Sequence, residues 1–330
     1  TEQSALRNVI QVTGIGDVRI LRSRIDMDGT PSDHAALYLD CPGRSRVEGN
    51  TIETHGDRAT GLSLAWGGLQ ISGGSRDVEI RDNRIRGGRG HGITLGSVAF
   101  RAVDGSTLDI EGPGRGQSDD ETPFRIRGEI RPIVIVGDPD GNGTREFFPE
   151  PLPGIERCVV AGNVIEAVGG SGISSVAVQV VHDPRAVRAP LCHRRTTFAV
   201  SHVLIENNHI FGCARHPLEP AAASAFGGVV LSDARHATIR NNLIEGNGVE
   251  QIAICGVGIA RGEDIAVVSN RIRGNGWASN VSRQFNGAIV ILAPGEAEGI
   301  FGEGSPRNVH IRRNVIDEPA VPALSLFSRG

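Results

Sequence analysis

One phrase recurs through the 330 residues and restricts what the chain can fold into. It is a short strand with apolar residues at alternate positions, then a small polar residue, an Ile-containing step and a Gly. It reads Val18-Arg19-Ile20-Leu21-Arg22-Ser23-Arg24-Ile25 near the start and Val78-Glu79-Ile80-Arg81-Asp82-Asn83-Arg84-Ile85 further on. Other copies run from Val159 to Ile165 and from Val203 to Ile210; three more carry Asn242, Asn270 and Asn314, and a shorter one carries Asn50. In seven of the eight copies the polar residue is Asn. Alternation with period two puts Val and Ile on one face of a strand and Arg, Glu and Asp on the other.

The polar positions are separated by 27, 33, 80, 45, 34, 28 and 44 residues. The short intervals fit one coil of a solenoid, and the long ones fit a coil carrying a loop. A second short apolar strand follows each phrase, as in Gly92-Ile93-Thr94-Leu95, Gly172-Ile173, Gly228-Val229-Val230-Leu231 and Gly256-Val257-Gly258-Ile259. Helical periodicity is nearly absent. The expected fold is therefore all-β, a single right-handed parallel β-helix of about eight or more coils with loop insertions.

Each Asn is expected at a tight bend, where it tolerates a left-handed backbone. Its amide would bond to the equivalent residue one coil away, at a spacing of ~4.8 Å. The expected division is 1–96 for the N-terminal coils, 97–155 for an insertion with extended or hairpin segments, and 156–330 for the C-terminal coils, all one continuous solenoid. Two smaller excursions, His182 to Thr197 and Cys213 to Phe226, read as loops of the kind that often carry binding.

Composition narrows the chemistry. All 34 basic residues are Arg, so Schiff-base chemistry, a phosphate-binding Lys and a Lys general base are excluded. A net charge of −4 gives no basic field for nucleic acid, and no span approaches transmembrane length. The five cysteines include no CxxC pair, which argues against a zinc site or a disulfide framework. Cys158 and Cys255 lie in apolar strands and read as small buried hydrophobes. The ten histidines lack metal-binding spacing such as HExxH.

The string Gly90-His91-Gly92-Ile93-Thr94-Leu95-Gly96-Ser97 resembles the GHG…GS active-site motif of polygalacturonases, glycoside hydrolases that are themselves right-handed β-helices. The resemblance implies a catalytic His91, with Arg125 in Phe124-Arg125-Ile126-Arg127 helping to position substrate. Arg127 stands where that family has Lys, and Asp57 is the candidate acid. The family's Asn-x-Asp strand and adjacent Asp pair have no counterpart here beyond Asp57. Inverting hydrolysis uses two carboxyl groups ~6.5–9.5 Å apart, so the set is incomplete. The competing reading makes His91 an exposed turn residue between two glycines.

Two further readings concern cations. A lyase would need an Arg base, and outer faces rich in Arg are plentiful: Arg81, Arg84, Arg86 and Arg89, or Arg185, Arg188, Arg194 and Arg195. The alternative for these is a solvated surface. Asp138-Pro139-Asp140-Gly141-Asn142-Gly143 matches the opening of a calcium loop, making Asp138, Asp140 and Asn142 candidate ligands and calcium the candidate cofactor. That template wants Glu where Pro149 stands, and a Gly-rich hairpin turn between Ile133–Val136 and Arg145–Phe148 accounts for the same residues.

The functional expectation is a carbohydrate-directed protein that binds or cleaves a polysaccharide, as hydrolase or lyase. The competing expectation is a non-catalytic module of a larger surface or tail-like assembly, with a second copy or further domains capping the solenoid ends. The start at Thr1 reads as that of a processed form or an excised piece, and the end at Phe327-Ser328-Arg329-Gly330, which offers no capping element, supports the module expectation. An extracellular or cell-surface location follows from fold analogy alone.

Overall fold

The computed structural model describes residues 8–28, 34–56, 63, 65–96, 98–100, 135–137, 144–146, 154–175, 177–179, 200–215, 227–231, 234–248, 255–259, 262–276, 287–292, 306–318 and 322–327. These residues contain strands and no helix, so no helix among them is long and apolar enough to cross a membrane.

Three long sheets run the length of the molecule, and every pairing within them is parallel. The first has nine strands, from Ile10–Thr13 to Leu324–Phe327. The second has eight, from Val18–Leu21 to Arg307–Arg312, and the third has eight, from Arg24–Met27 to Val315–Asp317. The chain visits the sheets in the order first, second, third, and then returns to the first one rung further on. This is the expected parallel β-helix, right-handed like nearly all parallel crossovers. The described residues make eight full coils, each with three strands.

The apolar stripe of the phrase becomes the core. In the third sheet the inward position is Ile in every coil: Ile25, Ile52, Ile85, Ile165, Ile210, Ile244, Ile272 and Ile316 pair in register. The second sheet stacks Val47, Ile80, Val160, Ile205, Ile239 and Val267 in the same way. β-Branched side chains have few rotamers to lose and interlock on a pleated surface, and each buried Ile contributes about 1.5–3 kcal/mol.

The glycine at the start of the first-sheet strand in the fourth to seventh coils has a packing cause. A Cβ on Gly92, Gly172, Gly228 or Gly256 would overlap the Cγ2 of Ile165, Ile210, Ile244 or Ile272 respectively, the Ile closing the same coil. In these four coils the missing Cβ lets that large side chain fill the corner, whereas the second and eighth coils carry Ala36 and Ala288 at the same register.

The bend between the second and third sheets carries the Asn ladder. Asn163 is a typical rung: its Oδ1 accepts the Asn83 N–H and the Asn83 Nδ2, both at 3.0 Å. Its own Nδ2 donates to Ile80 O at 3.0 Å and to Asn208 Oδ1 at 2.9 Å. The same contacts link Asn50, Asn83, Asn163, Asn208, Asn242, Asn270 and Asn314, and Ser23 begins the series by donating its N–H to Asn50 Oδ1.

One expectation is corrected here. The left-handed residue is the one before the Asn: Arg22, Gly49, Asp82, Gly162, Asn207, Asn241, Ser269 and Arg313 have φ between 50° and 68°. The Asn itself keeps ordinary φ because its side chain, not its backbone, turns toward the neighbouring coil. Four unlike residue types other than Gly (Arg, Asp, Asn and Ser) tolerate the strained position, which costs each of them roughly 1–2 kcal/mol. The amide contacts offset that cost.

A second, shorter ladder escaped the sequence reading. At the bend after the third sheet, Cys213 N–H donates to Asn247 Oδ1, Asn247 N–H to Asn275 Oδ1, and Asn275 N–H to Glu318 Oε2 at 2.7 Å.

The long insertion opens between the first and second sheets of the fourth coil, after Ile93–Leu95 and before Ile155–Ala161. Strand Val98–Phe100 pairs in parallel with Ala177–Gln179, so the fourth and fifth coils share an added two-stranded sheet. Ile135–Gly137 and Thr144–Glu146 form an antiparallel hairpin, with Ile135 opposite Glu146.

An interior rung should matter more than an end one. Asn163→Ala is expected to destabilise the protein by about 2–4 kcal/mol because it strands buried donors and acceptors on both neighbouring coils. Asn314→Ala, half-buried with one neighbouring rung, should cost about 1 kcal/mol. Urea unfolding of the two variants checks the contrast, and equal losses would remove the ladder as the cause.

Candidate functional site

Because the third sheet turns its Ile column inward, the residues on either side of each Ile face outward. They pair coil by coil as Arg24 and Asp26, Thr51 and Glu53, Arg84 and Arg86, Val164 and Glu166, His209 and Phe211, and Leu243 and Glu245. The third strand and the bend after it form the rim of an open groove. One stretch, about 380 Å³, is lined by Glu53, His55, Arg86, Ala167 and Arg215 among others. The next, about 400 Å³, is lined by Arg86, Glu166, Phe211 and Arg215. Arg86, Ala167 and Arg215 belong to both, so the groove is continuous across the second to the sixth coil.

Charge in the groove is cross-linked. Glu166 Oε1 accepts from Arg84 Nη2 at 2.8 Å and lies 3.6 Å from Arg86 Nε. Arg24 spans two coils, with its Nε 2.9 Å from Asp26 Oδ2 and its Nη2 2.8 Å from Glu53 Oε2. Further along, Glu245 lies between His209, at 2.8 Å, and Arg273. Burial alone would raise the Glu245 pKa, but the bonds from His209 and Arg273 hold it below the usual carboxylate range. The bond from Glu166 raises the already high pKa of Arg84, which moves that guanidinium further from service as a general base.

Asp26, Glu53 and His55 bring one possible ligand atom each to within 4.8 Å of one another. Arg24 already bridges both carboxylates, so a cation there would have to displace a guanidinium. Its hydrogen bond holds the Asp26 pKa below the usual range.

Of the candidate catalytic and calcium-binding residues, His91 is the one the structure describes; of the two Arg sets, Arg81, Arg84, Arg86 and Arg89 are described, and Arg185, Arg188, Arg194 and Arg195 lie outside the described residues. Asp57, Arg125 and Arg127 lie outside the described residues, as do Asp138, Asp140 and Asn142, although the hairpin strands flanking that calcium-loop string are present. His91 is not an exposed turn residue: it is 1% exposed, on the inner side of the bend that leads into the fourth coil. The Ser171 N–H of the next coil donates to its Nδ1 at 2.8 Å, and its ring meets Trp66 edge-on at 5.7 Å. Accepting at Nδ1 leaves the proton of the neutral ring on Nε2. Burial depresses the imidazole pKa to about 3, and the ring is closed off from any chain lying in solvent.

The glycines flanking His91 have local causes as well. A Cβ on Gly90 would run into the Trp66 indole, and Gly92 is the corner glycine shared with the fifth, sixth and seventh coils. Both glycines of the GHG string are therefore accounted for by packing.

Sequence reasoning found Arg84 and Arg86 as outer-face residues but missed Glu53, His55, Glu166, Phe211 and Arg215 as a group. The available signal was positional. The residues one and three places after each ladder Asn point outward on the third sheet, and reading those columns assembles most of the groove.

A family model described as a right-handed β-helix region matches residues 193–316, the stretch holding Asn208, Asn242, Asn270 and Asn314 in succession. No curated protein matches the chain. Among solved structures, the A-module of the mannuronan C-5 epimerase AlgE6 of Azotobacter vinelandii is similar to 98% of this chain at 13% identity, with a TM-score of 0.37. The chain covers 65% of that module.

The buried imidazole makes a pH prediction. His91 stays neutral in the fold down to a pH of about 3, whereas its unfolded counterpart takes up a proton near 6.5. The stability it contributes is therefore complete above 6.5 and is lost as pH falls through that window. Relative to His91→Gln, the wild type should lose up to one proton's worth of stability, about 1.4 kcal/mol per pH unit. Denaturant titrations between pH 7 and pH 4 read the difference, and parallel curves would refute the buried neutral state.

Proposed function

We propose that the protein binds a polysaccharide along the third-sheet groove. The observation that carries this reading is the channel that the described residues form along the solenoid axis, with Arg86, Ala167 and Arg215 lining both of its stretches. Five coils at ~4.8 Å per step give it a floor of about 19 Å, which suits an extended chain better than a small metabolite. Guanidinium groups offer several fixed donors and carboxylates several acceptors, so neighbouring Arg and Glu side chains can bracket vicinal hydroxyls.

Repeat folds commonly use an extended surface of this kind to hold an extended partner. The rigid register of the coils holds the groove in place before any ligand arrives, which lowers the ordering cost of binding. The reading is one of binding. With His91 enclosed, no bond-breaking step is assigned to the groove.

The test is affinity electrophoresis and calorimetry of the full chain against a panel of neutral and acidic polysaccharides. Arg86→Ala combined with Arg215→Ala should weaken binding at least about tenfold, since each lost charged hydrogen bond is worth roughly 1.5–3 kcal/mol. Circular dichroism of the variant should be unchanged, because both side chains lie outside the core. Product analysis of the same incubations reports any cleavage. Inertness toward every polymer would remove this function and favour the structural-module alternative.

A further inference from the structure

We infer that the groove selects a neutral, hydroxyl-rich polysaccharide over a polyanionic one, and that Phe211 is the platform on which a sugar ring stacks. The inference rests on the groove being a polysaccharide site, as proposed above, and names the ligand class and a specificity residue for it.

Charge balance is the first support. Between them, the two stretches of the groove are lined by two guanidinium groups, Arg86 and Arg215, and two carboxylates, Glu53 and Glu166. Three of these charges are already engaged: Glu166 is held by Arg84 and Arg86, and Glu53 by Arg24. A polyanion would have to break these pairs and would lie beside the protein's own carboxylates. The formal net charge of −4 adds no long-range attraction for it. Neutral hydroxyls face no such conflict, since they accept from the remaining guanidinium N–H groups and donate to the remaining carboxylate lone pairs.

The second support is an apolar step in an otherwise charged face. Along the outward columns, Val164, His209 and Leu243 follow one another in register, and Phe211 stands beside them between Glu166 and Glu245. All four are half-buried. The rings of His209 and Phe211 lie 4.5 Å apart with a 31° tilt, and the His209 Nε2 is held by Glu245 Oε1 at 2.8 Å. Phe211 is therefore buttressed on one side and lines the groove with the rest. A pyranose has an apolar face of C–H groups and a polar rim of hydroxyls. Laid on Phe211, that face covers the aromatic ring while the rim meets Arg86, Glu166 and Arg215. Aromatic platforms of this kind give large contact area at low entropic cost.

The experiment compares a neutral polysaccharide with a polyuronate, at low and high salt, using wild type, Phe211→Ala, Phe211→Leu and Phe211→Trp. The neutral polymer should bind more tightly, with an affinity that changes less than about twofold between 50 and 500 mM salt, because little net charge is neutralised. Phe211→Ala and Phe211→Leu should weaken it about tenfold or more, equivalent to about 1.4 kcal/mol, while Phe211→Trp retains binding. Because Phe211 faces outward, the Leu and Trp variants keep the fold, and circular dichroism verifies it.

Tighter binding of the polyuronate with a steep loss in salt would overturn the neutral-ligand assignment. Unchanged affinity in both Phe211→Ala and Phe211→Leu would overturn the platform. Either result leaves the groove as a binding site intact, whereas failure of the wild type to bind any polymer removes both the site and this inference.

Discussion

The side-chain amide of asparagine, bonded to the same residue one coil away, sets the geometry of the whole molecule. A parallel solenoid has to turn sharply between its second and third sheets in every coil, and the turn puts one residue into a left-handed conformation that most side chains resist. The ladder makes that turn repeatable. Each amide satisfies two donors of one neighbour, reaches a strand carbonyl of the same neighbour, and bonds to the acceptor of the next. Among the described residues no ladder amide is left buried without a partner, which would otherwise cost several kcal/mol.

Everything outside the ladder inherits its register. With the bend fixed, the Ile of the third sheet points inward in every coil, and the flanking residues are sorted into outward columns. The corner glycines then follow, because the Ile side chain needs the space a Cβ would fill. The groove is a consequence of the same sorting. Arg86, Glu166 and Phe211 come from three different coils, yet they stand in one column as successive rungs of it.

The sequence made this fold legible because the phrase repeats with little change in residue type. Val, Ile and Asn recur at fixed offsets, and the conformational and packing reasons for them are local. The site was less legible for two reasons. Outward positions are free to vary, so Arg86, Glu166 and Phe211 share no residue type that a repeat search would flag. The one short string that suggested chemistry, around His91, owes its glycines to Trp66 and to the corner Ile, and its histidine accepts a backbone N–H inside the solenoid. A shift of a single residue in attribution, from the Asn to the residue before it, likewise needed the backbone angles. Asn247 and Asn275 escaped notice because a ladder of two asparagines closed by a cysteine and a glutamate presents no obvious period.

The stacked coils also make the molecule a ruler. The intervals between rungs vary from 27 to 80 residues, yet each interval advances the chain by the same single step along the axis. Loop length is thereby uncoupled from position: a segment can grow or shrink at a bend without moving Arg86 relative to Phe211. Gain or loss of a whole coil acts differently. It would lengthen or shorten the groove by one increment of ~4.8 Å and bring a new outward pair into the column, so binding length in such a scaffold changes in discrete units rather than continuously.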